Sequence, residues 1–76
     1  MSAVHLTRID PDKNMARFYK LDVQPNLFGE WCLIAEWGRI GSPGRVQERP
    51  CPTEAEALGL FMQRQRVKVR RGYSAH

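Results

Sequence analysis

The sequence predicts an α+β fold in a single domain covering residues 1–76: an antiparallel sheet of about four strands with one C-terminal helix packed on one face. Three observations predict it. Apolar and polar residues alternate in four short stretches between residues 3 and 51, the period of strands with one buried face. The stretches are separated by short clusters of Pro, Gly, Asn, Asp and Ser, brief enough to join antiparallel neighbours. After Thr53 the apolar spacing changes once, to that of a helix.

Each element follows in order. From Ala3 to Ile9, Val4 and Leu6 alternate with His5, Thr7 and Arg8, and Asp10-Pro11-Asp12-Lys13-Asn14 then reads as a turn. From Ala16 to Gln24 the pattern puts Tyr19, Leu21 and Val23 on one face and Lys20 and Asp22 on the other. Pro25-Asn26-Leu27-Phe28-Gly29 breaks this second strand, and its two apolar residues predict a loop folded back over the core. The third strand, Glu30 to Trp37, is apolar on both faces, which suits a central position. A turn over Ile40 to Pro43 leads to Gly44–Cys51, whose single Val46 among Arg45, Gln47, Glu48 and Arg49 suits an edge strand. A hairpin symmetric about that turn sets Trp37 opposite Val46 and Cys32 opposite Cys51. Thr53 and Glu56 then fit a capping box, Leu58, Phe61, Met62, Gln65 and Val69 form the stripe expected to meet the sheet, and Gly72 ends the helix.

Composition bounds the function. Hydrophobic residues at 42% and charged residues at 26% argue for a folded chain and against disorder. Seventy-six residues lie near the lower limit for a single core, so no separate catalytic cleft is expected beside it. A net charge of +4 and a pI near 9.6 favour an anionic partner such as nucleic acid. No apolar run reaches the length of a membrane span and the N-terminus has no signal-peptide pattern, so the expectation is a cytoplasmic protein with no membrane partner. Cys32 and Cys51 have no C-x-x-C spacing, and with His5 and His76 they offer no metal-ligand spacing either. In a reducing compartment two free thiols are expected. No phosphate loop, dinucleotide fingerprint or nucleophile elbow is present, and Ser42 has no evident His partner, so the expectation is a non-enzyme without cofactor or metal.

The candidate site is the stretch Glu36 to Arg45. It puts an indole, three glycines and two guanidiniums within ten residues, where an apolar strand runs into a turn. Trp offers a flat face, Arg a rigid fork of donors, and Gly a backbone that can approach a neighbour closely. The competing reading is a plain hairpin with a half-buried Trp37 and a solvated Arg39. A second basic feature lies at the helix end, where Arg64, Lys68 and Arg71 fall on one flank and Arg66 and Arg70 on the other, five cations in eight residues. One or two cations compensate a helix dipole. The surplus, with Arg39, Arg45 and Arg49, points to a phosphate-binding surface.

The segments Arg17-Phe18-Tyr19-Lys20-Leu21-Asp22-Val23, Trp31 through Trp37-Gly38-Arg39-Ile40-Gly41, Thr53-Glu54-Ala55-Glu56-Ala57-Leu58 through Phe61, and Arg71-Gly72-Tyr73 resemble the WGR domain. The likeness extends to small stand-alone bacterial members, and it covers roughly residues 4–73. The resemblance implies an antiparallel sheet with one helix. In the DNA-dependent poly(ADP-ribose) polymerases such a domain binds DNA near a strand break. By that likeness Trp37 is the group that packs on a terminal sugar, and Arg39 the contact to DNA or to a neighbouring domain. Arg45 stands where many members carry Gln, and within residues 1–76 no transferase, helical regulatory or zinc-finger domain is expected. The expected nucleic-acid-binding residues are Trp37, Gly38, Arg39, Arg45, Arg64, Lys68, Arg70 and Arg71, with DNA as partner. The alternative is a protein-interaction or regulatory module that docks a partner protein through the Trp-Gly-Arg tip.

Overall fold

The structure is a computed structural model that describes residues 2–75, with side chains described from residue 3. Five strands, β1 (Ser2–Asp10), β2 (Met15–Pro25), β3 (Trp31–Arg39), β4 (Arg45–Cys51) and β5 (Ser74–Ala75), form one sheet in the order β4-β3-β2-β1-β5. Every neighbouring pair is antiparallel. The helix α1 (Glu54–Arg70) packs on one face, so the fold is the α+β arrangement that the pattern predicts. The interior strand that is apolar on both faces, β3, lies next to β4, and the middle of the sheet is β2. β5 pairs only Ala75 with Leu6 and Ser74 with Thr7, a strand too short to show any period in the sequence.

The helix-side face carries the core. Leu6 on β1, Tyr19, Leu21 and Val23 on β2, and Leu33 and Ala35 on β3 are buried against Cys51, Ala57 and Phe61. These are the period-2 positions of each strand, and each fully buried Leu stabilises by roughly 1.5–3 kcal/mol. The helix starts as its residues dictate: the Thr53 hydroxyl accepts from the Glu56 amide at 3.2 Å, satisfying one of the free N–H groups of the first turn. It ends in a Schellman motif, with the Tyr73 amide donating to the Lys68 carbonyl and the Gly72 amide to that of Val69, both at 3.1 Å. Gly72 supplies the required left-handed backbone, φ +96°.

Three expectations are corrected. Leu27 and Phe28 do not fold over the core; they are 100% and 87% exposed. Asn26 closes that loop instead, its side-chain oxygen accepting from the amides of Phe28 and Glu30 at 2.9 Å each, so hydrogen bonds replace apolar burial. The helix stripe is also displaced. Met62 and Val69 are 60% and 50% exposed, while the line facing the sheet runs Ala57, Phe61, Arg64, Lys68, the last two half-buried. Apolar stems let Arg and Lys occupy such positions, which a count of apolar residues overlooks.

The third correction concerns register. Trp37 pairs with Arg45, not Val46, and Cys51 pairs with Trp31 while Cys32 pairs with Pro50. A one-residue shift moves every β4 side chain to the other face. Arg45 therefore shares the helix-side face with Trp37, and the two buried thiols, both free, point to opposite faces. The cause is a close crossing of glycines: a Cβ on Gly44 would lie 2.5 Å from the Trp37 carbonyl oxygen and 2.7 Å from the Phe18 ring, and one on Gly38 would lie 2.9 Å from the Gly44 Cα.

Candidate nucleic-acid interface

The strand period that builds the core also builds the site. Leu6, Tyr19 and Trp37 form one cross-strand row on the helix-side face, and two residues further along each strand stand Arg8, Arg17 and Arg39. Arg8 is directly opposite Arg17, and Arg17 directly opposite Arg39. Directly opposed like charges destabilise a sheet. Among the described residues none of the three forms an ion pair; the one salt bridge found joins Lys20 and Glu36 on the opposite face, at 4.0 Å.

Trp37 links this row to the helix. Its ring stacks on Tyr19 with centroids 6.2 Å apart and planes at 27°, and it is half-buried, packed against the core. On one side it helps line a groove of about 560 Å³ with Arg17, Gly38, Arg39 and Arg45, completed by Lys13 to Ala16. On the other it lines a smaller groove of about 230 Å³ with Tyr19, Gln47, Arg64 and Lys68. An aromatic face thus sits between two cationic grooves.

The helix contributes the rest. Lys68 Nζ lies 4.6 Å from the centroid of Tyr19 and 5.3 Å from that of Tyr73, whose rings themselves meet edge to face at 6.5 Å. Burial, with smaller effects from Arg71, Arg17 and Arg64, pushes the Lys68 ammonium below its ordinary 10.5. Arg64 donates to the Gln47 side chain at 3.4 Å. The helix end lies beside the arginine row: a Cβ on Gly72 would be 3.4 Å from Arg8 Nε.

Of the expected residues, Trp37, Gly38, Arg39, Arg45, Arg64 and Lys68 line these grooves, and Arg71 lies close enough to depress the Lys68 ammonium. Arg70 does not join them: it is exposed, and two helical positions from Lys68 turn it about 200° away. Arg17 and Arg8 were absent from the expected set. Their signal was present as the i, i+2 spacing Leu6-x-Arg8, Arg17-x-Tyr19 and Trp37-x-Arg39, which puts each cation on the face of its core neighbour. His76, weighed as a partner for the cysteines, lies outside the described residues. Among those described, no helix is long and apolar enough to cross a membrane.

Comparison with known proteins adds the family. Residues 2–76 match the WGR domain. The chain is similar to an uncharacterized protein, y4dW, of Sinorhizobium fredii, at 43% identity over 70 residues, 92% of this chain and 34% of that protein. It thus spans about a third of the length of the curated relative that it matches. No solved structure matches. The WGR domain is in general a nucleic-acid-binding module of proteins like the poly(ADP-ribose) polymerases, and a binding unit rather than a catalytic one. With a match over nearly every residue, and with Trp37, Gly38 and Arg39 at the end of β3 beside a cationic groove, the chain belongs to the WGR domain family.

Proposed function

We propose that this chain is a non-catalytic DNA-binding module that grips the sugar–phosphate backbone at a strand end or nick. The arginine row carries this reading: Arg8, Arg17 and Arg39 stand side by side on three strands and form no ion pair among the described residues. That arrangement costs stability in the free protein and is relieved by a polyanion. Trp37, between the two grooves, supplies an apolar surface for a sugar or terminal base, and Arg45, Arg64, Lys68 and Arg71 extend the positive surface for phosphates. The footprint leaves Arg70 out. No base-reading helix or ribbon enters a groove in this scheme, so recognition is of backbone and end geometry with little sequence dependence.

Titration of a fluorescent nicked duplex tests it. Binding at low salt, weakened by Arg17→Ala and by Arg39→Ala but not by Lys20→Ala on the opposite face, is the expected result. Each lost charge-assisted contact corresponds to about 1.5–3 kcal/mol, roughly 10- to 100-fold in affinity. Absence of binding at low salt would falsify the reading, and recovery of one protein partner after nuclease treatment would replace it with protein docking.

A further inference from the structure

We propose that Lys68 is a chemical acylation site, an amine placed to take the acyl group from a small acyl phosphate whose phosphate the neighbouring guanidiniums hold. The geometry sets Lys68 apart from the other two lysines of the chain, Lys13 and Lys20, both exposed. Its Nζ lies over two rings at once, 4.6 Å from the centroid of Tyr19 and 5.3 Å from that of Tyr73, which gives the amine a preferred position beside the grooves. It lines two grooves of about 230 and 330 Å³, the size of a phosphate-bearing small molecule rather than of a large cofactor. Arg64 lines both grooves with it, and Arg17 and Arg71 are close enough to act on its charge. A dianionic phosphate bound to guanidiniums places its attached acyl carbon beside the amine.

The chemistry needs the neutral amine, because only its lone pair attacks. The tyrosine faces favour the ammonium, while burial and the surrounding guanidiniums lower its proton affinity. In the step itself the Lys68 nitrogen forms a bond to the acyl carbon, the bond from that carbon to the phosphate oxygen breaks, and inorganic phosphate leaves with the electron pair. The amine proton passes to phosphate or water. The product is an uncharged amide at the centre of the basic surface, so acylation removes one cation from the proposed nucleic-acid face; that consequence, unlike the acylation itself, rests on the function proposed above.

The test uses the intact chain with acetyl phosphate at neutral pH, digested by a protease specific for acidic residues so that acetylation does not alter cleavage, with each lysine followed by mass spectrometry. The expected result is acetylation of Lys68 severalfold faster than of Lys13 or Lys20, although both are more accessible. An uncharged acetylating ester of N-hydroxysuccinimide is the control, and the preference for Lys68 should be smaller with it, because the ester has no phosphate to be held. Acetylation of Lys13 or Lys20 as fast as Lys68, or an equal preference with both reagents, overturns the proposal. Nicked-duplex affinity of the acetylated chain is measured separately: if acetylation is selective but the unmodified chain binds no DNA, the function fails and the modification site stands.

Discussion

Gly44 shows how one missing side chain sets the site. Adding a methyl group there drives it to 2.5 Å from the Trp37 carbonyl oxygen, a backbone atom that cannot rotate aside. Gly44→Ala is therefore expected to lose about 1–3 kcal/mol, a fall of roughly 4–20 °C in melting temperature for a domain of this size, and to weaken DNA binding because the same crossing puts Arg45 beside Trp37. An unchanged melting temperature would show that the turn has room for a Cβ and that Gly44 does not set the crossing. Trp37 and Arg39 behave differently from each other. Trp37 stacks on Tyr19 and packs on the core, so Trp37→Ala should lower stability and affinity together. Arg39 is exposed and paired across the strand only with Arg17. Arg39→Ala should leave the melting temperature unchanged or slightly raised and reduce affinity alone, which thermal unfolding beside a binding titration can separate. The sequence marked both residues as the contact tip, but the half-burial of Trp37 depends on Tyr19, eighteen positions away, and no local pattern reports that contact.

At the scale of the element, strand period and helix caps were legible and the orientation of the helix was not. Tyr19, Leu21 and Val23 faced the core as alternation requires, and Thr53 caps the helix as its position before Glu56 requires. Of the helix stripe read from Leu58, Phe61, Met62, Gln65 and Val69, Phe61 enters the core and Leu58 packs against it, but Met62 and Val69 stay exposed, because the second half of the helix crosses Tyr19 and the polar residues of β4 rather than the apolar core. There Arg64 and Lys68 fit better than Met62 or Val69: the Lys68 ammonium lies over the Tyr19 ring, and Arg64 donates to Gln47 on β4. Lys68 gives this orientation a measurable signature. Its proton affinity is lowered on folding, so the unfolded chain binds more protons than the folded one between the lowered value and the ordinary 10.5. Stability from this group is thus reduced at neutral pH and recovers as pH rises through that window. Lys68→Met removes the titration while keeping an apolar stem. The stability of Lys68→Met minus that of the wild type should fall as pH rises from neutral toward the ordinary 10.5 in urea unfolding. A difference that stays constant would mean the amine is fully solvated and the helix does not present it to Tyr19.

The whole molecule divides its charge between two faces. The helix side holds Arg8, Arg17, Arg39, Arg45, Arg49, Arg64 and Lys68 against Asp10 at the end of β1, whereas the opposite face carries Lys20 paired with Glu36 together with Asp22 and Glu48. Cations therefore outnumber carboxylates on the helix-side face of the sheet, where strand alternation leaves Asp10 beside Arg8, while Asp22, Glu36 and Glu48 stand on the far side. This separation was legible only in part, since the sequence shows that cations are in surplus but the one-residue register of β4 decides that Arg45 and Arg49 join the helix side. It leads to a prediction about salt. A polyanion lying across the helix-side end displaces counterions for each phosphate neutralised, so the logarithm of affinity should fall linearly with the logarithm of salt concentration. Removing one cation from that surface, with Arg8→Ala, Arg17→Ala or Arg45→Ala, should lower the slope by about one and weaken binding similarly for unrelated sequences. Lys20→Ala, one sheet thickness away, should change neither slope nor affinity at moderate salt, where the Debye length of about 10 Å screens charges on the far face. If Lys20→Ala lowers the slope as much as Arg17→Ala, the protein attracts DNA through its overall charge, and the row of arginines beside Trp37 is not the binding surface.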